Sequence, residues 1–198
     1  MRIKLDHQRI WFTSDYHFCH ANVIKYDERP YADVEEMHED LIENWNHYVA
    51  TDDVVFYLGD LSFEKDNTQT KWLVDQLHGK IHYILGNHDK EKDIIKLNRF
   101  ETVSDYVNLS VLDPDNPRKW QDIMMMHYPI LSWDKAHHGA WHLHGHCHGS
   151  LMKDPAYDWY YTKKVIDVGC CMHDYTPLHY TDLKQIMSTR EVEKVGHH

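Results

Sequence analysis

The sequence predicts an α/β domain with layered sheets. Two observations predict it. In the first half, short apolar runs alternate with amphipathic stretches at helical spacing, the pattern of parallel strands joined by crossover helices. In the second half, strand-like runs succeed one another mostly as hairpins and form a second sheet. With 198 residues, 42% of them hydrophobic, the chain can bury the core that such layers need. It reads as a single domain over residues 1–195, with Gly196-His197-His198 set apart as a vector remnant.

Each element has its own signal. Ile10-Trp11-Phe12-Thr13 is a buried strand that ends in Ser14-Asp15-Tyr16-His17. Asp33 followed by Glu36 is a capping-box pattern, and Val34, Met37, Leu41, Trp45 and Val49 share one helical face, so a helix runs from about Val34 to Val49. His38 and His47 on it are surface or packing residues. Asp53 to Leu58 is a second buried strand, ending in Gly59-Asp60. Trp72, Leu73, Gln76 and Leu77 mark a helix closed by Gly79. Lys80 to Leu85 is a third strand, ending in Gly86-Asn87-His88-Asp89, with Asp89 read as helix-start chemistry. A short helix over Asp93–Leu97 follows. Thr102 to Leu112 alternates partially and, after a turn at Asp113–Pro117, pairs with Trp120–Met126, which ends in His127. Trp141–His144 ends in Gly145-His146-Cys147-His148. Val165–Gly169 is a late strand, and Leu183–Met187 a closing helix.

Composition narrows the function classes. A net charge of −11 disfavours a broad surface for long nucleic acid, though not a small phosphate ligand. No apolar run approaches a membrane span, and the N-terminus lacks a signal-peptide stretch, so a cytoplasmic location is expected. Cys19, Cys147, Cys170 and Cys171 lack metal-knot spacing and are read as reduced, small buried hydrophobes. The unusual count is 19 histidines.

Those histidines, with Asp and Asn, recur at five strand ends: Asp15/His17, Asp60, Asn87/His88, His127 and His146/His148. Ligands of open α/β sheets bind beyond the C-terminal ends of strands. The ordered set D-x-H, G-D, G-N-H-D, H, G-H-x-H resembles the calcineurin-like metallophosphoesterase superfamily from Trp11 to about Met187, and its small, capless bacterial and phage members in particular. The resemblance implies a layered α/β/β/α sandwich of two mixed sheets. It implies that Asp15, His17 and His148 bind one divalent metal ion, that Asn87, His127 and His146 bind a second, and that Asp60 bridges both. A nitrogen-rich donor set with carboxylates suits Mn²⁺, Fe, Ni²⁺ or Zn²⁺. The implied reaction is phosphoester hydrolysis by a hydroxide held between the ions, with His88 protonating the leaving alcohol.

Other positions keep two readings. His20 and Asn22 either contact substrate or cap the next segment. Arg29 either grips a phosphate oxygen or is a solvated loop arginine. Glu64 and Asp66 either orient His88 or form a surface turn. Tyr128, Trp133 and Trp141 stack on a flat leaving group or belong to the core. His142 and His144 are read as packed strand residues, and His173 as a loop residue near the site. The expected substrate is a small phosphoester or nucleotide. A nuclease, a protein phosphatase and a non-catalytic interaction module on the same fold are the alternatives.

Overall fold

Two five-stranded mixed sheets face each other in the computed structural model, which describes residues 2–6 and 9–192. The proposed remnant at 196–198 lies outside the described residues. One sheet has the order β10-β2-β3-β4-β5, from Leu178–His179, Ile10–Thr13, Val54–Tyr57, Lys80–Ile84 and Thr102–Ser104. Its β2 to β5 are parallel and β10 is antiparallel. The other has the order β1-β6-β7-β8-β9, from Arg2–Asp6, Tyr106–Leu112, Trp120–Met126, Trp141–His144 and Val165–Asp167.

Period-two alternation explains the layers. Along β3, Val55 and Tyr57 face a helical layer, while Phe56 faces the second sheet. The helical layer includes α1 (Ala21–Tyr26), α2 (Val34–Tyr48), α3 (Thr68–Val74) and α4 (Glu91–Lys96). Helix α2 forms as its sequence dictates. The Asp33 carboxylate accepts from the Glu36 amide at 2.9 Å, and Met37, Leu41 and Trp45 are fully buried. Between the sheets, Ile10, Phe12, Phe56 and Ile84 pack on Val107, Leu109, Ile123, Met125, Leu143 and Ile166. On the far side of the second sheet, Trp133, Ala136, Tyr160 and Val165 form a smaller cluster. It involves α6 (Asp158–Tyr161), which follows the short α5 (Ser150–Lys153), and α7 (Tyr180–Ser188) closes the inter-sheet core.

Several expectations change. The alternating stretch 102–112 is two strands in two sheets, because the chain crosses between layers at Asp105. Among the described residues of the second half, only β6 and β7 form the expected hairpin. Strands β7, β8 and β9 are parallel. Strand β1 was not expected and pairs in parallel with β6. These parallel runs matter, because they bring the C-terminal ends of β2, β3, β4, β7, β8 and β9 to one edge. The two sheets meet there through a parallel bridge between Ser14 and Gly169. Among the described residues no helix is long and apolar enough to cross a membrane.

Candidate metal centre

All the strand-end residues singled out by the sequence converge at that edge. The His17 Nε2 and His148 Nε2 atoms are 3.1 Å apart, and His148 Nε2 is 3.5 Å from Asp15 Oδ1. Asp60 Oδ2 lies 3.8 Å from His17 Nε2 and 3.5 Å from His127 Nε2, so its carboxylate stands between two groups of donors. Asn87 Oδ1 lies 2.9 Å from His127 Nε2 and 2.8 Å from His146 Nδ1. Two donors each about 2.1 Å from one ion sit roughly 3–3.4 Å apart, so these spacings fit a shared cation. Asp15 with His17 and His148, and Asp15 with Asp60 and His127, are clusters that could hold a metal ion.

The backbone is bent to make this arrangement. Asp15, His17, Asp60, His146 and His148 all have φ between 47° and 70°, a region side-chain-bearing residues avoid. Strain of this kind persists only where the surroundings enforce it, and it gathers at functional sites. Two glycines allow the close approach. A Cβ on Gly86 would lie 2.2 Å from Asp60 Oδ1, and one on Gly145 would lie 2.4 Å from Asp15 Oδ2.

Hydrogen bonds orient the rings. His127 Nδ1 is 2.7 Å from the Leu58 carbonyl, which can only accept, so Nδ1 carries the proton and Nε2 is left for a cation. His148 Nδ1 donates likewise to Asp27 Oδ2 at 2.6 Å. Electrostatics follow the geometry. Burial drives His17 down to about 3. Burial also pulls His148 down, but its hydrogen bonds to Asp15 and Asp27 carry it up to about 10. Asp15 and Asp60 are pushed up by burial, yet His148 and His127 respectively hold them below the ordinary carboxylate value. The site thus gathers buried carboxylate oxygens and imidazole nitrogens at one point, the mixed donor set that a divalent cation takes.

The remaining expected positions divide. His88 is exposed, donates its amide to Asp60 Oδ1 at 3.0 Å and places Nε2 4.0 Å from Asp60 Oδ2. His20 stacks on Phe63 with ring centres 4.0 Å apart and makes no side-chain cap to α1. Asn22 is exposed on α1 and takes no part in the hydrogen bonds that build the centre. Arg29 is neither solvated nor open to a phosphate. It is buried behind the site and donates to the carbonyls of Asp15 and Tyr16 and to Asp27. Glu64 is engaged with the amides of Gln69 and Thr70, and Asp66 with that of Thr68. Trp133 and Trp141 are core, whereas Tyr128 is exposed with its ring 4.8 Å from that of His146. His142 and His144 are fully buried, facing Trp133 and Tyr161, and His173 contacts the Asp167 carbonyl.

Sequence reasoning missed three acids and a histidine. Asp27 backs His148. Asp89 does not cap α4. Its carboxylate accepts from the amides of Gly86 and Asp60 and from the Tyr83 hydroxyl, pinning two strand ends together. Asp167, pushed up to about 6 by burial, holds the amides of Gly149 and Gly169. His38 accepts from the Cys19 amide and braces the bent 15–19 segment. Of the cysteines only Cys170 is fully buried, and Cys171 lies within reach of Asp27 and His148.

Comparison with known proteins places the chain among relatives. It is 34% identical over 176 residues to uncharacterized protein MJ1445 of Methanocaldococcus jannaschii, covering 86% of each chain. The chain belongs to the family of that protein. It is 29% identical over 191 residues to the gene 66 protein of Mycobacterium phage D29, and 31% identical over 164 residues to that of phage L5. These alignments cover 85% and 72% of this chain and 92% and 78% of the phage proteins. No family model matches the chain. The fold is shared with a crystal structure of AQ665, a protein of unknown function from Aquifex aeolicus, at a TM-score of 0.65 and 19% identity, over 89% of this chain and 98% of that one.

Proposed function

We propose that the protein is a metal-dependent phosphohydrolase, a phosphodiesterase or phosphatase of the calcineurin-like metallophosphoesterase type. The observation that carries this reading is the convergence of Asp15, His17, Asp60, Asn87, His127, His146 and His148 at one sheet edge, most of them on strained backbone. Such a donor set fits two divalent cations from among Mn²⁺, Fe, Ni²⁺ and Zn²⁺. When bound, the cations would supply Lewis acidity, lowering the pKa of a water and neutralising phosphoryl charge.

The chain's own residues then have distinct tasks. Asp60 offers one carboxylate to both donor groups. Asp27 and the Leu58 carbonyl hold His148 and His127 in the tautomer that presents Nε2 to the centre. Asp89 fixes the Asp60 and Gly86 amides, and so the spacing of two strand ends. His88, exposed at the rim and 4.0 Å from Asp60, donates the proton that the leaving oxygen requires. Hydrolysis of bis(p-nitrophenyl) phosphate with added Mn²⁺ is the direct test. Turnover is expected, with a loss of about 10²-fold or more in His88→Ala while that variant retains its cations. Absence of turnover on mono- and diesters with all four metals contradicts the reading.

A further inference from the structure

A cleft of about 470 Å³ opens beside His88, between the loops that follow β3 and β4. Its volume is that of a small-molecule site. Lys65 and Lys90 line it, both are exposed, and neither ammonium has an ion-pair partner among the described residues. Three acids also line it, each turned to a partner of its own. The Glu64 carboxylate accepts from the Gln69 and Thr70 amides and the Thr70 hydroxyl, the Asp89 carboxylate from the Gly86 and Asp60 amides and the Tyr83 hydroxyl, and Asp93 lies 3.3 Å from Lys96 Nζ. Two unpaired cations in one cleft stand out on a chain of net charge −11. They offer an anion two ammonium groups that no carboxylate already holds.

The cleft also has an aromatic wall. Phe63 is 38% exposed, its ring is held against that of His20 at 4.0 Å, and it lies 4.5 Å from the ring of His88. An exposed ring fixed in place by a stacked neighbour offers a flat ligand contact area at little entropic cost. We propose that this cleft seats a nucleoside monophosphate, its base against Phe63 and its phosphate oxygens on Lys65 and Lys90. Combined with the phosphohydrolase reading, on which this part rests, the cleft receives the departing half of the substrate. His88 stands between cleft and metal centre, where the proton must reach the leaving oxygen. The substrate class is then a phosphodiester whose leaving alcohol itself carries a phosphate, as in a dinucleotide with a further terminal phosphate, rather than one that releases a neutral alcohol.

Binding tests the subsite without turnover. Calorimetric titrations with adenosine 5′-monophosphate and with adenosine are made on the metal-free wild type, on Lys65→Ala/Lys90→Ala and on Phe63→Ala. In the wild type the nucleotide binds roughly tenfold tighter than the nucleoside. The double lysine variant loses that difference, and Phe63→Ala weakens both ligands alike. All three positions are exposed, so folding is preserved, and circular dichroism checks it. A nucleotide no tighter than the nucleoside overturns the proposal, as does a preference that survives loss of both lysines. Turnover of bis(p-nitrophenyl) phosphate is read separately and decides the phosphohydrolase reading on its own.

Discussion

The proposed centre divides at Asp60, with Asp15, His17 and His148 assigned to one cation and Asn87, His127 and His146 to the other, and the two sets differ in charge and exposure. The first is sunk in the protein. Asp15 and His17 are buried, and a second carboxylate, Asp27, backs His148, itself anchored by the buried Arg29. The second side has neutral donors only. Asn87 and His146 are exposed, and the partner behind His127 is a backbone carbonyl. Charges attract more strongly where water is excluded. A cation on the first side therefore meets more negative charge in a less polar setting, and the account expects it to bind tighter there.

The largest effect should come from the group common to both sides. Asp60→Asn is expected to lower hydrolysis on the order of 10³-fold and to weaken both cations, as read by turnover and by metal content. Loss of one cation alone would break the assignment of Asp60 to both. Next, Asp27→Asn keeps a hydrogen-bond acceptor for His148 but removes its charge. Affinity on the first side should fall roughly 10–100-fold, with the second side unchanged. A uniform loss would mean that Asp27 acts on the whole fold instead. Asn87→Asp makes the opposite change, giving the exposed side a carboxylate. Its cation affinity should rise about tenfold, narrowing the gap between sides.

The smallest effect is a control at the far end of the strands. Asp53, before β3, accepts from Arg9 Nε, Trp11 Nε1 and the Ala50 amide. Burial raises its pKa, but those donors, the Ala50 amide first, bring it below the ordinary value. A carboxylate lowered on folding stabilises above its unfolded pKa, and the contribution disappears as pH falls through the folded value. Asp53→Asn should cost about 1 kcal/mol at neutral pH and nothing in strong acid, with or without Mn²⁺. Dependence of that cost on Mn²⁺ would show coupling between the two ends, which the comparison does not allow.

Much of this was legible in the sequence, and the limits have physical causes. Buried parallel strands read as short apolar runs, so Asp15, Asp60 and Asn87 could be recognised by where those runs stop. The supporting acids carry no such mark. Asp27 is one charge among several in the stretch that leads to Pro30, and only the fold brings it across 121 positions to His148. Asp89 follows a glycine turn and precedes a helix, which is where a capping residue belongs, yet three-dimensional packing gives its carboxylate the amides of two strand ends. Arg29 looked like a loop arginine because burial of a guanidinium depends on carbonyls that the sequence does not display. Strands β5 and β6 read as one because their side-chain alternation continues through Asp105, where the chain changes sheets.

The central claim is that one sheet edge holds two cations unequally, and metal titration tests it most directly. Metal-free protein titrated with Mn²⁺ should take up two ions per chain, the first at least about tenfold tighter, with Asp27→Asn weakening only that first step. Uptake of no ion, of a single ion, or of two equal ions would contradict the account.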